Sequence, residues 1–111
     1  MSGTNIWGEI QKLSGTTVRT LNRRKPFDII SVTEQSIIIL PRATGKERTI
    51  QRIVVENAYR RLVVTGSLTR SDIQKDFSEY NPAYVVAILA ELPGVRYSRS
   101  PIRLWSEERL G

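Results

Sequence analysis

The chain of 111 residues is long enough for one domain, and an apolar content of 40% is enough for one modest core. It contains neither cysteine nor histidine, which excludes disulfide bonds, thiolate nucleophiles, zinc–thiolate sites and the Ser-His-Asp triad. The net charge of +6 favours a polyanionic partner, nucleic acid before a membrane surface.

Catalysis would have to rely on carboxylates, Lys, Tyr or Ser. Asp72 and Asp76 lie one helical turn apart but have no third ligand nearby for a divalent cation. We therefore predict that the protein is not an enzyme and uses no metal and no small-molecule cofactor. The longest apolar run is too short to span a bilayer, and no secretory signal is evident. These features, with the lack of cysteine, predict a cytoplasmic protein that does not bind membranes.

The first 48 residues predict an α-β-β extension. A short helix begins after an N-cap at Thr4 and ends near Ser14, with Trp7 on its buried face. A strand follows at Thr16–Leu21. Residues 27–33 and 36–40 are rich in β-branched residues and predict a hairpin. The isoleucines at 37–39 indicate a strand covered on both faces.

Two loops of this extension concentrate positive charge. The turn before Pro26 carries Arg23, Arg24 and Lys25, and the segment 41–48 carries Arg42 and Lys46. Arginine binds phosphate oxygens through a bidentate fork that lysine lacks. Both loops are therefore candidate phosphate contacts.

The longest predicted helix runs from Ile50 to about Thr65, with Thr49 as its N-cap and Gly66 at its end. Apolar residues recur at helical spacing and predict its buried stripe: Ile53, Val54, Ala58 and Leu62. The charged residues Arg52, Glu56 and Arg60 are spaced by four, which favours ion pairing along the surface.

Residues 66–106 predict a short strand, two helices and a hairpin. Thr69 and Asp72 have the spacing of a capping box, and Asn81-Pro82 is typical of a helix start. The second helix, residues 82–92, stops at Pro93-Gly94. Two β-rich runs then flank Ser100-Pro101 and predict the two arms of a hairpin, residues 95–99 and 102–105.

Two helices joined by a short turn and followed by a β-hairpin resemble the winged helix-turn-helix superfamily in element order. The expected fold is therefore α+β in one compact domain of residues 1–111. A winged helix-turn-helix unit at 49–106 is preceded by a short helix and a small antiparallel β-sheet at 1–48. The resemblance implies DNA binding as the more common role of such a scaffold.

The chemistry of the second helix departs from that role. Its sequence, PAYVVAILAEL, offers almost no polar side chain to a base edge, and residues 70–92 hold two cations against four anions. The contacts to nucleic acid are therefore predicted in the hairpin and the N-terminal loops. The predicted partner is duplex DNA in preference to RNA. The predicted contacts are Arg96, Arg99, Arg103, Arg23, Arg24, Lys25, Arg42 and Lys46.

A second hypothesis is a protein-interaction or homodimerisation module. Val85, Ile88, Leu89 and Leu92 form an inward stripe on the second helix, which leaves a small, weakly polar opposite face suited to close contact with another chain. The interface predicted on that face consists of Tyr80, Tyr84, Ala87 and Glu91. In the remaining alternative, the N-terminal sheet covers this helix and no exposed patch is left.

Overall fold

The chain folds into four helices and two antiparallel sheets in a computed structural model, which describes residues 6–107. The N-terminal part consists of α1 (Ile6–Gln11), β1 (Thr17–Arg19), β2 (Pro26–Val32), β3 (Ser36–Pro41) and β4 (Arg48–Gln51). The four strands form a meander in the order β1-β2-β3-β4. The predicted N-cap at Thr4 lies outside the described residues.

The predicted hairpin forms between β2 and β3. Val32 pairs with Ile37, and the N–H of Thr33 donates to the carbonyl of Ser36 at 2.8 Å. Ile37 and Ile39 are buried whereas Ile38 is only half-buried. The prediction of a strand covered on both faces was therefore wrong, because an antiparallel meander turns one face to the core and the other to solvent.

The predicted N-cap at Thr49 was also wrong. Residues 48–51 extend the first sheet as β4, with Ile50 opposite Ile37, and α2 (Arg52–Thr65) begins only after Gln51. The β-branched pair Thr49-Ile50 gains more by adding a strand to β3 than by starting a helix. Ile53, predicted to be buried, is 66% exposed, because Val55, Ala58 and Leu62 fix the inward face of α2.

The C-terminal part follows the predicted order of elements. It consists of α2, β5 (Ser67–Thr69), α3 (Arg70–Asp76), α4 (Pro82–Ala90), β6 (Val95–Arg99) and β7 (Ile102–Ser106). The three strands pair antiparallel in the order β5-β7-β6. The capping box is confirmed, since Asp72 N donates to Thr69 Oγ1 at 3.1 Å and Thr69 N donates to Asp72 Oδ2 at 3.0 Å. Gly66 ends α2 in the left-handed region at a φ of 90°.

Helix α4 lies at the centre of a single core that both sheets share. Five consecutive residues of this helix, 85–89, are buried. Tyr84 meets Phe27 of β2 edge to face, with ring centroids 5.1 Å apart. The N-terminal sheet therefore covers α4, and the described residues form one compact α+β domain. None of the helices within residues 6–107 is both long and apolar enough to cross a bilayer.

Trp7 joins α1 to this core as predicted. Its ring is 2% exposed and its Nε1 donates to the carbonyl of Thr33 at 2.9 Å. The guanidinium of Arg52 lies 5.0 Å from the centre of the same ring, and Arg52 Nε also pairs with Glu56 at 3.1 Å. The predicted ion pairing on α2 is thus confirmed between Arg52 and Glu56.

Candidate nucleic-acid interface

The turn between β1 and β2 is held in shape by its own backbone. Thr20 N donates to the carbonyl of Lys25 at 3.0 Å, and its hydroxyl accepts from Lys25 N at 3.0 Å. Arg24 N donates to the carbonyl of Thr20 at 3.1 Å, and Arg24 occupies the left-handed region at a φ of 57°. These bonds fix a tight turn whose exposed side chains include Arg23, Arg24 and Lys25.

One hydrogen bond joins this turn to the β6–β7 hairpin. Arg99, the last residue of β6, donates from Nε to the carbonyl of Leu21 at 2.9 Å across 78 positions of sequence. Leu21 is itself buried and lies two residues before Arg23. The bond therefore brings together two basic segments that were predicted separately.

Arg19 of β1 belongs to the same surface, although the sequence analysis did not select it. Its Nη1 donates to the carbonyl of Arg24 at 3.0 Å. The exposed cations of this region, which we call the loop–hairpin surface, are Arg19, Arg23, Arg24, Lys25 and Arg99. None of them forms an ion pair with a carboxylate in the described part of the chain. Alternation in the predicted strand at 16–21 was the only signal that pointed Arg19 outward.

Arg42 lies near this sheet but is neutralised. It forms a fork on Asp28, with Nη2 to Oδ1 at 2.9 Å and Nε to Oδ2 at 3.2 Å, and Nη2 also donates to Thr17 Oγ1 at 3.1 Å. The hydrogen bonds from Arg42 and then from Thr17 hold the pKa of Asp28 below its ordinary value of 3.8. Arg42, predicted as a phosphate contact, is thus held in an ion pair with Asp28 within the first sheet.

The remaining hairpin arginines lie on the opposite face from Arg99. Strand pairing places Arg96 beside Trp105 and Ser98 beside Arg103, so Arg96 and Arg103 share one face. Arg96 is paired with Glu107 at 3.3 Å. Lys46 is exposed in the loop between β3 and β4. The structure thus unites Arg23, Arg24, Lys25 and Arg99 but not the other four predicted contacts.

The predicted protein interface does not form one surface. Ala87 is 1% exposed inside the core, so it is not available to a partner chain, and this part of the prediction was wrong. Tyr84 is half-buried against Phe27, whereas Tyr80 and Glu91 are exposed. Of the two alternatives for this helix, the structure agrees with the one in which the N-terminal sheet covers it.

Asn81 occupies the N-cap position of α4 with Pro82 after it, as the Asn81-Pro82 pair predicted, but its side chain does not cap the helix. No side-chain capping bond from Asn81 is found in the described residues. Its Oδ1 instead accepts from Arg48 Nη1 at 3.0 Å, and the same guanidinium lies 5.6 Å from the ring centre of Tyr84. Arg48 of β4 therefore holds the first sheet onto the start of α4.

No group of three or more Asp, Glu, His or Cys side chains with the geometry of a metal site occurs within residues 6–107. Comparison of the chain with models of known protein families, with curated proteins and with solved structures gives no match. The loop–hairpin surface is therefore interpreted from its own residues.

Proposed function

We propose that residues 52–106 form a winged helix-turn-helix unit whose usual reading helix is covered. The order α2-β5-α3-α4-β6-β7, with the sheet order β5-β7-β6, supports this assignment. In such a unit α4 would enter the major groove of DNA. Here its residues 85–89 are buried, and the first sheet packs on it through Phe27 and Tyr84. The domain must then contact nucleic acid with other elements.

The function that the geometry supports best is binding of duplex DNA by a small basic protein of the cytoplasm. The observation that carries this proposal is the bond from Arg99 to the carbonyl of Leu21, which fixes the hairpin beside the basic turn. Five cations without carboxylate partners in residues 6–107 then share one region of the surface. Arginine forks on phosphate oxygens supply affinity without reading sequence, so binding is sequence-tolerant.

The protein-interaction hypothesis has no comparable support. It needed an exposed small-residue face on α4, and Ala87 at the centre of that face is buried. We therefore do not propose α4 as an interface.

The proposal is tested by fluorescence anisotropy with a random-sequence duplex across a salt series. If all five cations of the loop–hairpin surface contact phosphates, the slope of log K against log salt is about −4.5, at about −0.9 per contact. Raising salt from about 50 to about 200 mM then weakens binding about 500-fold. The triple variant R23Q/R24Q/K25Q should reduce the slope to about −1.8.

The matched control removes three exposed cations from other surfaces, in the variant K12Q/R60Q/K75Q. It carries the same net charge as the triple variant, and its slope should stay within about 1 of that of the unmodified protein. Equal weakening in both variants would mean that only net charge matters and would refute a localised site. Binding that does not depend on salt would refute phosphate contact altogether.

A further inference from the structure

The second sheet turns a polar face away from the core. Leu68 and Leu104 point inward and are buried, so their neighbours along each strand point outward. The pairings Ser67↔Trp105↔Arg96 and Thr69↔Arg103↔Ser98 form two adjacent cross-strand rows. We call these six residues the outer sheet face.

Trp105 is the central side chain of this face. It is 40% exposed, whereas Trp7 is 2% exposed and hydrogen bonded in the core. Arg96 lies directly opposite Trp105 on β6, and Arg103 lies two residues before it on β7. A large exposed aromatic ring with arginines at neighbouring positions of the same sheet face is an arrangement on which nucleic-acid bases stack.

A surface pocket of about 390 Å³ adjoins this face at Arg103. It is lined by Thr69, Arg70, Ser71, Pro101, Ile102 and Arg103. Neither arginine is paired with a carboxylate in residues 6–107. The nearby carboxylate of Asp72 accepts from Thr69 N instead. The pocket therefore combines two uncompensated positive charges.

The guanidinium of Arg70 is weakly held. Its Nε is buried and has no hydrogen-bond partner among the described residues, and its Nη1 reaches Gln74 Oε1 only at 3.5 Å. A buried donor without a partner is unfavourable. After a small rotation of the Arg70 side chain, an anion in the pocket would supply the acceptor that Nε lacks. Two guanidinium groups therefore line this pocket, and one of them carries a donor without an acceptor.

We propose that the outer sheet face binds single-stranded DNA, with an unpaired base stacked on Trp105 and a neighbouring phosphate between Arg70 and Arg103. Arg103 and Trp105 are two strand positions apart, about 6.7 Å, so one strand can contact both. One part of this inference rests on the proposed duplex binding. Arg99 and Trp105 lie on opposite faces of the β6–β7 hairpin. A duplex bound on the Arg99 side and a single strand bound on the Trp105 side would therefore be separated by this hairpin.

Tryptophan fluorescence tests the stacking directly, because Trp7 is buried and Trp105 is the remaining one of the two tryptophans. Titration with oligothymidylate should quench the emission saturably, and W105F should remove that quenching while retaining most of the affinity. W105A should weaken oligothymidylate binding by about 5- to 150-fold, the range for loss of one stacked base. Binding of a blunt duplex by W105A should be unchanged.

The pocket is tested with R103Q, for which K46Q, in the exposed loop between β3 and β4 of the first sheet, is the matched control. R103Q should reduce the salt slope of oligothymidylate binding by about 0.7, the value for one phosphate contact on a single strand, and K46Q should leave it unchanged. Far-UV circular dichroism and urea unfolding of W105A separate loss of stacking from loss of folding. If W105A is unstable, W105F serves as the test variant, because it retains an aromatic ring but removes the tryptophan signal.

Oligothymidylate binding without quenching, or with equal affinity in W105A and the unmodified protein, would overturn the proposal. Tighter binding of an RNA of matching sequence would overturn its assignment to DNA. Failure of the duplex proposal is a separate outcome, because it is measured with the blunt duplex and the variant R23Q/R24Q/K25Q. If the blunt duplex does not bind but oligothymidylate still quenches Trp105, the outer sheet face remains as the nucleic-acid site.

Discussion

Substitution of Ala87 by Glu distinguishes a buried α4 from an α4 that binds a partner. Ala87 is 1% exposed, so the new carboxylate would enter a core of aliphatic side chains. The burial of an ionised group is unfavourable by several kcal/mol, and the extra volume adds about 1–3 kcal/mol. The sum is comparable to the whole free energy of unfolding of a small domain, about 5–15 kcal/mol.

Urea denaturation followed by tryptophan emission measures this effect. With an m-value of about 2 kcal/mol/M, A87E should lower the midpoint by about 2 M or more. The matched control A43E adds the same side chain to the exposed turn after β3 and should change the free energy of unfolding by less than about 0.5 kcal/mol. The molecular mass should be measured on the same samples across a concentration series.

Burial of Ala87 in the core of a single chain would be refuted if A87E were as stable as A43E while the mass fell from that of a dimer to that of a monomer. That result would mean that residue 87 faces a partner chain and that the first sheet does not cover α4.

The remaining predictions concern the cap of α3 and the ion pair of the first sheet. T69A should lower the free energy of unfolding by about 1 kcal/mol, because the N-cap bond to Asp72 N is lost; thermal unfolding checks this, and T44A in the exposed turn is the control. NMR titration should find that the pKa of Asp28 lies below 3.8 and that R42Q raises it. Because the folded-state pKa is the lower one, this carboxylate stabilises the fold above its ordinary pKa, and the contribution is lost as pH falls through the lowered value.

Three elements that depend on near neighbours in the sequence were predicted correctly. The Thr69–Asp72 box needs only residues three apart, and the β2–β3 and β6–β7 hairpins need only two β-rich runs and a turn. Each of these signals is local, so no knowledge of tertiary packing was required.

The errors arose where distant segments meet. The apolar period of α4 identified one inward face, but Phe27 from β2 packs on the other side of this helix and makes it buried all round. A helix that is apolar on every face is a signal of complete burial. The Arg42–Asp28 pair depends on the register of β2 with β3, and the Arg99–Leu21 bond spans 78 positions. The sequence therefore identifies the basic residues, but which of them are paired with carboxylates and which lie together depends on the tertiary fold.

The two sheets end in strands whose outer backbone edge has no strand neighbour in the described fold: β1 and β4 in the first sheet, β5 and β6 in the second. Such edges invite pairing with another molecule, and natural proteins discourage it with charge. Arg19 on β1, Arg48 on β4 and Arg96 on β6 place a cation at three of these four edges. If charge at these edges discourages pairing between molecules, variants in which the three arginines are replaced by Gln should precipitate at a lower protein concentration than the unmodified protein.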